Sequence, residues 1–310
     1  MKTEAAQDYA GDPKESLDLL QAVMGSTPLA VFIVQDGLVQ YVNKQLQSWT
    51  GYAEEELLGK DALYLVPPQE RHIVRAAARN VLAGESQEPY EYRLVTRFGE
   101  SRWVLGSVAA IEFRGKRAIM GNFVDITVRK LLEQQLQRQA FYDALTGLPN
   151  RLLFTDRLEH ALEGARRRAE PVALLFLDLD GFKAVNDRFG HARGDEALAA
   201  VASRLAGLIR REDTLARIGG DEFTVLLEGA HAEHDALHVA ERVVNEMRKP
   251  FELWGHRLKL GVSVGLALSE PEGAEASELL RRADIALYRA KAVGKSRVIL
   301  FHEGMSLEAA

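Results

Sequence analysis

The chain of 310 residues contains no cysteine. That excludes disulfides, thiolate metal centres and cysteine nucleophiles, and it suits a reducing, cytoplasmic location as the expected one. Long apolar runs are lacking too. The longest, "PLAVFIV" at 28 to 34 and "VALLFL" at 172 to 177, fall well short of the roughly 18 residues a membrane helix needs, so no membrane span is expected. Nor is there a basic excess: the net charge is −6, which gives no footprint for wrapping DNA or RNA. Any nucleotide partner is therefore expected to be small and locally bound. The opening "MKTEAAQDYAGDPKES" has none of the positive-then-apolar order of a signal peptide and reads as a flexible lead-in over residues 1–16.

What is present has the balance of a globular protein, 47% apolar and 27% charged, in a length that suits two domains with separate cores. Residues 17–127 carry short strands at "AVFIVQDG", "LVQYVN", "YEYRLVTRFGE", "RWVLGSVAAIEF" and "RAIMGNFVDI", with helical stretches between the second and third. Strands in runs with clustered helices predict an α+β unit, an antiparallel sheet with helices on one side. Residues 128–142 turn to "VRKLLEQQLQRQA", free of Gly and Pro. There Val128, Leu131, Leu132, Leu136 and Ala140 fall along one helical stripe, suited either to a second helix or to packing on its own domain. Residues 143–303 alternate helices with strands, an α/β unit with a central sheet covered by helices, and residues 304–310 form a tail.

Chemistry concentrates in two places. In "LLFLDLDGFKAVNDRFGHARGD" a buried strand ends in Asp178 and Asp180, which alternation points the same way, before a glycine turn and a helix. In "ARIGGDEFTVLL", Gly219 and Gly220 suit a type I′ hairpin turn, with Asp221 and Glu222 beside it. If the two strands are neighbours, Asp178 and Asp221 offer hard oxygen ligands to Mg2+, which takes one or two carboxylates plus substrate phosphates. Plain structural roles compete for several of these residues. Asp180, Asp187 and Asp195 suit helix caps, and "RRED" suits a charged helix end.

The ordered set "DALTGLPNR", "DLDGFKAVNDRFGHARGD", "ARIGGDEF", "VSVGLA" and "ADIALYRAKAVGK" resembles the GGDEF-domain diguanylate cyclases over roughly residues 140 to 301. The resemblance implies a palm-like fold that condenses two GTP into cyclic di-GMP and two pyrophosphates as a homodimer. It implies Mg2+ (or Mn2+) held by Asp178, the carbonyl of Leu179 and Asp221. Glu222 completes the acidic cluster, and either Asp221 or Glu222 helps deprotonate the attacking 3′-hydroxyl. Asn186 and Asp195 match the guanine-binding pair, Phe182 and Lys183 lend backbone amides to the phosphates, and Lys291 matches the phosphate lysine. Lys295 and Ser296 stand where the family usually has Arg-Asn, which keeps a positive charge but not the bidentate fork. Arg210 and Asp213, nine and six residues before Gly219, with Arg242 on the next helix, match the family's product-inhibition site. The competing reading from a different class is a catalytically silent receptor for GTP or cyclic di-GMP that acts through a partner.

The front half, with "DGLVQYVNKQLQSWTGYAEEELLGK" and the closing Asp125-Ile126-Thr127, resembles a PAS sensor domain of unknown ligand. His72 is its one histidine. A haem ligand there competes with the simpler reading of a surface histidine among Glu70, Arg71 and Arg75.

Overall fold

Asp36 and Gly37 both take positive φ, 54° and 79°, the signature of a type I′ turn. They join β1 (Ala30–Gln35) to β2 (Leu38–Val42) in the first unit of a computed structural model that describes residues 29–168, 170–229, 233–270 and 274–306. The lead-in at 1–16 and the last four residues of the tail lie outside the described residues. The chain divides into two compact units between Gln134 and Gln135.

In the first unit β2 is followed by α1 (Lys44–Thr50), α2 (Glu54–Leu57), a 3-10 turn (Pro68–Glu70) and α3 (Arg71–Leu82). Next come β3 (Tyr90–Val95), β4 (Ser101–Phe113) and β5 (Lys116–Asp125). The sheet order is β2-β1-β5-β4-β3 and every pairing is antiparallel. Asn43 ties helix to sheet, its Oδ1 accepting from Leu46 N and Val31 N at 3.0 Å each. Val42, Leu46, Leu57, Val66, Leu94, Val104 and Phe123 bury the shared core, as alternation on a one-sided sheet requires.

Helix α4 (Thr127–Phe141) leaves this sheet through the Asp-Ile-Thr triplet. Asp125 Oδ1 accepts from Thr127 N at 2.7 Å, and Thr127 Oγ1 accepts from Trp103 N at 2.9 Å. Lys130 and Arg129 both pair with Glu91 on β3. No residue of α4 is buried, and Val128, Leu131, Leu132 and Leu136 are 53–69% exposed. The apolar stripe is thus left exposed among the described residues, while the charged residues of the first turn hold the helix to β3.

The second unit runs α5 (Arg151–Arg168), β6 (Ala173–Asp180), α6 (Phe182–Phe189), α7 (His191–Ala206), β7 (Thr214–Gly219), β8 (Glu222–Leu227) and α8 (Glu233–Met247). A small hairpin, β9 (Phe251–Leu253) with β10 (His256–Leu258), precedes β11 (Gly261–Leu268), α9 (Ala276–Ala292) and β12 (Val298–Leu300). The five-stranded sheet has the order β12-β11-β6-β8-β7; β12 runs parallel to β11 and the other pairs are antiparallel. Central β6 is apolar on both faces. Leu175, Leu177 and Leu179 join the core under α7 and α8, while Leu174 and Phe176 join the one under α5 and α9. Gly265 lets α9 settle on β11, since a Cβ there would lie 2.0 Å from the Ala283 carbonyl.

Two boundaries differ from the sequence reading. The helix expected over "GDEALAAVASRLAGLIRR" begins earlier, at His191, and stops at Ala206, so "LIRR" is loop; Gly207 lowers helix propensity there, although Leu208 and Ile209 still pack on the core. The strand expected over "RLKLGVSVGLAL" breaks between Leu258 and Gly261.

Candidate functional site

The end of β6 and the tip of the β7–β8 hairpin meet because β6 and β8 are neighbours. Glu222 stands directly opposite Asp178 in the ladder, and Leu179 N donates to the Asp221 carbonyl at 3.3 Å. The turn corrects the type I′ expectation. Gly219 pairs with Glu222, so Gly220 and Asp221 are the central residues, and of these only Gly220 has positive φ (50°). That is the type II′ distribution, which asks glycine of the first central position and lets an aspartate occupy the second.

Four carboxylates, Asp178, Asp180, Asp221 and Glu222, lie at this edge. Burial raises the pKa of Asp178; Lys291 pulls it down, Asp221 and Asp180 push it further up, and the net direction is upward. Glu222 is likewise raised, first by burial and then by Asp178. Lys291, in the last turn of α9, lies 2.7 Å from Asp178. The structure therefore joins the expected phosphate lysine to the expected metal aspartate. Among the described residues no three carboxylate or imidazole side chains converge as a complete metal cage. Two carboxylates and a carbonyl suit a cation that completes its shell with substrate phosphate and water.

The nucleotide-facing candidates lie on α6 and α7. Phe182 and Lys183 open α6 after Gly181, whose φ is 84°, and the first amides of a helix have no acceptor within it. Asn186 Oδ1 lies over Gly194, where a Cβ would approach to 1.8 Å. Asp195 is the next residue, exposed and inside α7. The helix-cap reading of Asp195 therefore fails, because the cap position belongs to Gly190. Asp180 does not cap a helix either. It accepts from Ser263 Oγ (2.9 Å), Ser296 N (2.8 Å) and Ser296 Oγ (2.9 Å). Lys295 is exposed in the loop after α9.

Arg210 is exposed, and its carbonyl accepts from Asp213 N at 3.2 Å, so "RRED" is a turn rather than a helix end. Arg242 Nη2 donates to the Leu208 carbonyl at 2.7 Å, which fastens α8 to the loop that carries Arg210.

Residues 140–297, just over half of the chain, match the family model for "Diguanylate cyclase, GGDEF domain". The chain belongs to that family. Residues 28–128 match the PAS domain model, so a PAS unit precedes the GGDEF unit. An uncharacterized protein of Sinorhizobium fredii, y4lL, is 33% identical over 95% of this chain and 37% of its own length. The bifunctional diguanylate cyclase/cyclic di-GMP phosphodiesterase MucR of Pseudomonas aeruginosa is 43% identical over 57% of this chain and 26% of its own. The chain thus spans between about a quarter and two fifths of these relatives. Among solved structures, the coiled coil and GGDEF domain of DgcB from Caulobacter crescentus, in complex with c-di-GMP, superposes with a TM-score of 0.52 at 31% identity. That match covers 56% of this chain and 91% of the other.

The GGDEF unit also holds a buttress that sequence reasoning missed. Arg217, two residues before the hairpin glycines, donates to the Gly220 carbonyl from Nε (3.0 Å) and Nη2 (2.7 Å), and to Asp143 from Nη1 (2.9 Å). Asp143 also accepts from Thr146 N and Oγ1. Burial alone would raise its pKa, but Thr146 and Arg217 together hold it below the usual carboxylate range. The signal was the motif "DALTGLPNR", whose leading aspartate had no assigned task.

The PAS unit holds a partly open cavity of about 660 Å3 lined by Phe32, Leu46, Leu57, Val66, Tyr92 and Phe123 among others. Tyr90 and Tyr92 also line it and stack at 5.3 Å. Burial pushes the Tyr90 phenol up to about 12 and the Tyr92 phenol higher still. His72 is exposed on α3 and is not among the lining residues.

Proposed function

We propose that the chain is a diguanylate cyclase that condenses two GTP into cyclic di-GMP and two pyrophosphates, as a homodimer controlled by its PAS unit and by its product. The observation that carries this reading is the facing of Asp178 and Glu222 across the β6–β8 ladder, with Asp221 in the turn.

The donor set suits Mg2+ or Mn2+: the ligands are hard oxygens, and burial first and neighbouring carboxylates second raise the pKa values of Asp178 and Glu222, a cost of ionisation that a divalent charge relieves. Asp178, the Leu179 carbonyl and Asp221 would hold the ion. When bound it neutralises charge on the triphosphate and on the reacting oxygens.

The protein's own groups supply the rest. Asn186 and Asp195 bind guanine: Asp195 accepts from N1–H and the exocyclic amine, a pattern adenine cannot match. The amides of Phe182 and Lys183 meet the phosphates at a helix start, where the dipole favours anions. Lys291 and Lys295 add positive charge. Asp221 or Glu222 takes the proton of the 3′-hydroxyl as that oxygen bonds to the α-phosphorus and pyrophosphate leaves. The step occurs twice, each 3′-hydroxyl attacking the other nucleotide, so ring closure requires two protomers face to face. Arg210, Asp213 and Arg242 form the product site. The PAS cavity is the input, suited to an apolar body that offers a hydrogen-bond acceptor to its phenols.

The test is purified full-length chain with GTP and Mg2+ or Mn2+ at several protein concentrations, the product identified by mass. Cyclic di-GMP formed at a rate per protein that rises with concentration is expected. Bound GTP or cyclic di-GMP without turnover at any concentration would overturn the cyclase in favour of the receptor.

A further inference from the structure

The loop after α9 takes a backbone that its residues disfavour. Gly294, Lys295 and Ser296 have φ of 117°, 61° and 47° in succession. A lysine and a serine in the left-handed region each carry a steric penalty, so this shape persists only where the surroundings over-determine it. Here they do. Asp180 Oδ2 accepts from both Ser296 N (2.8 Å) and Ser296 Oγ (2.9 Å). Ser263 Oγ donates to Asp180 Oδ1 at 2.9 Å and accepts from Ser296 N at 3.1 Å. On the far side Arg248 Nη2 donates to the Ser296 carbonyl at 2.8 Å, and Lys295 N donates to the Ala290 carbonyl at 3.0 Å. Gly261, opposite Asp180 in the ladder, leaves the space, since a Cβ there would lie 2.1 Å from Ser296 Oγ.

Asp178 and Asp180 thus divide the work of one strand end. Asp178 holds Lys291, while Asp180 holds the loop from which Lys295 extends, four residues later in the chain. We infer that Asp180 is a positioning residue for nucleotide binding, acting through Lys295: with Ser263 and Ser296 it locks the loop so that Lys295 meets the phosphates from a fixed backbone. Ser296 serves here because its short hydroxyl reaches the carboxylate while its amide does the same. The inference rests on the cyclase reading for the identity of the nucleotide.

The experiment is a double-mutant cycle on the full chain, reading affinity for a GTP analogue with a methylene bridge between the α- and β-phosphorus, which binds without turnover. Asp180→Ala and Lys295→Ala are each expected to weaken it about tenfold, as loss of a charged hydrogen-bonding group does. The double variant should be no weaker than the worse single one, because Asp180 acts only through Lys295. Ser296→Ala, which keeps the amide, should fall between Asp180→Ala and the parent, with cyclic di-GMP affinity at the arginine site unchanged in all. Fully additive losses, or equal loss of analogue and cyclic di-GMP binding, would overturn the positioning role and reduce Asp180 to a fold-holding residue. Should Asp180→Ala melt, the cycle between Ser296→Ala and Lys295→Ala draws the same distinction. A parent chain that binds the analogue but makes no product sinks the cyclase and leaves the clamp. A parent that binds no analogue sinks both.

Discussion

Glu222 faces Asp178 across two hydrogen-bonded strands, and Asp178 in turn pairs with Lys291 at 2.7 Å. Two partly buried acids in register are a cost to the fold, because burial and mutual repulsion both oppose ionisation. The site is therefore held in a state that gains when positive charge arrives with the substrate.

Removing one charge should stabilise the protein and silence it. A carboxylate whose folded pKa is raised stabilises the fold while protonated, and that contribution is lost as pH rises through the window between its unfolded and folded values. Glu222→Gln is expected to raise the metal-free melting temperature by a few degrees at most, while cyclic di-GMP synthesis falls by about a hundredfold or more. A lower melting temperature at neutral pH would refute the repulsion.

The same directions set the acid limb of activity. With Asp178 and Glu222 both raised, kcat/KM should begin to fall on acidification at a higher pH than ordinary carboxylates would give. A cation that needs the ionised forms competes with protons. Raising Mg2+ should move the acid limb to lower pH, as a pH series at two Mg2+ concentrations will read.

Arg217 and Asp143 bear on stability and turnover together. Asp143→Asn removes a charge-assisted bond whose partners are mostly buried, 11% and 24% exposed. It is expected to cost about 1–3 kcal/mol in urea unfolding. Because the lowered pKa of Asp143 contributes stability above its unfolded value and loses it as pH falls through the folded one, the gap between parent and variant should close in acid. Turnover should fall as well, since Arg217 also holds the Gly220 carbonyl in the turn that carries the proposed catalytic acids.

Gly194 tests the proposed guanine-binding role of Asn186 without replacing a polar side chain. Gly194→Ala would bring a methyl within 1.8 Å of Asn186 Oδ1, so Asn186 must move. KM for GTP should rise about tenfold and discrimination against ATP should fall, with kcat little changed. Unchanged discrimination would remove Asn186 from guanine recognition.

These residues also mark where sequence reading succeeds. The acids of "DLD" and "GGDEF" were legible because alternation and a turn place them locally, and adjacency of β6 and β8 was the single assumption needed. The supports were not. Arg217 reaches Asp143 across 74 residues and Ser296 reaches Asp180 across 116, and no local period encodes a partner that distant. The turn type was misjudged for a related reason: two glycines suggested two positive φ positions at the turn centre, whereas the pairing of Gly219 with Glu222 moved the centre by one residue.

Helix α4 follows the first sheet in the chain and precedes the second. Its apolar side chains Val128, Leu131, Leu132 and Leu136 are more than half exposed, though its first turn is fastened to β3 through Glu91. Apolar groups in a stripe gain free energy by meeting the same stripe of a second helix, and two parallel helices can relay a change in the PAS unit as rotation or separation. Such a relay depends on phase. Each inserted residue turns the downstream unit by about 100° and advances it by about 1.5 Å. Seven residues therefore restore the facing direction to within about 20°, while two reverse it almost fully. Inserting seven helix-forming residues after Leu136 should keep most of the activity and its regulation, whereas inserting two should silence or uncouple it. Leu131→Glu combined with Leu136→Glu should shift the chain toward monomer in sedimentation and lower synthesis at low protein concentration. Equal activity of the two insertions, with the double glutamate variant still dimeric, would make the helix a passive tether.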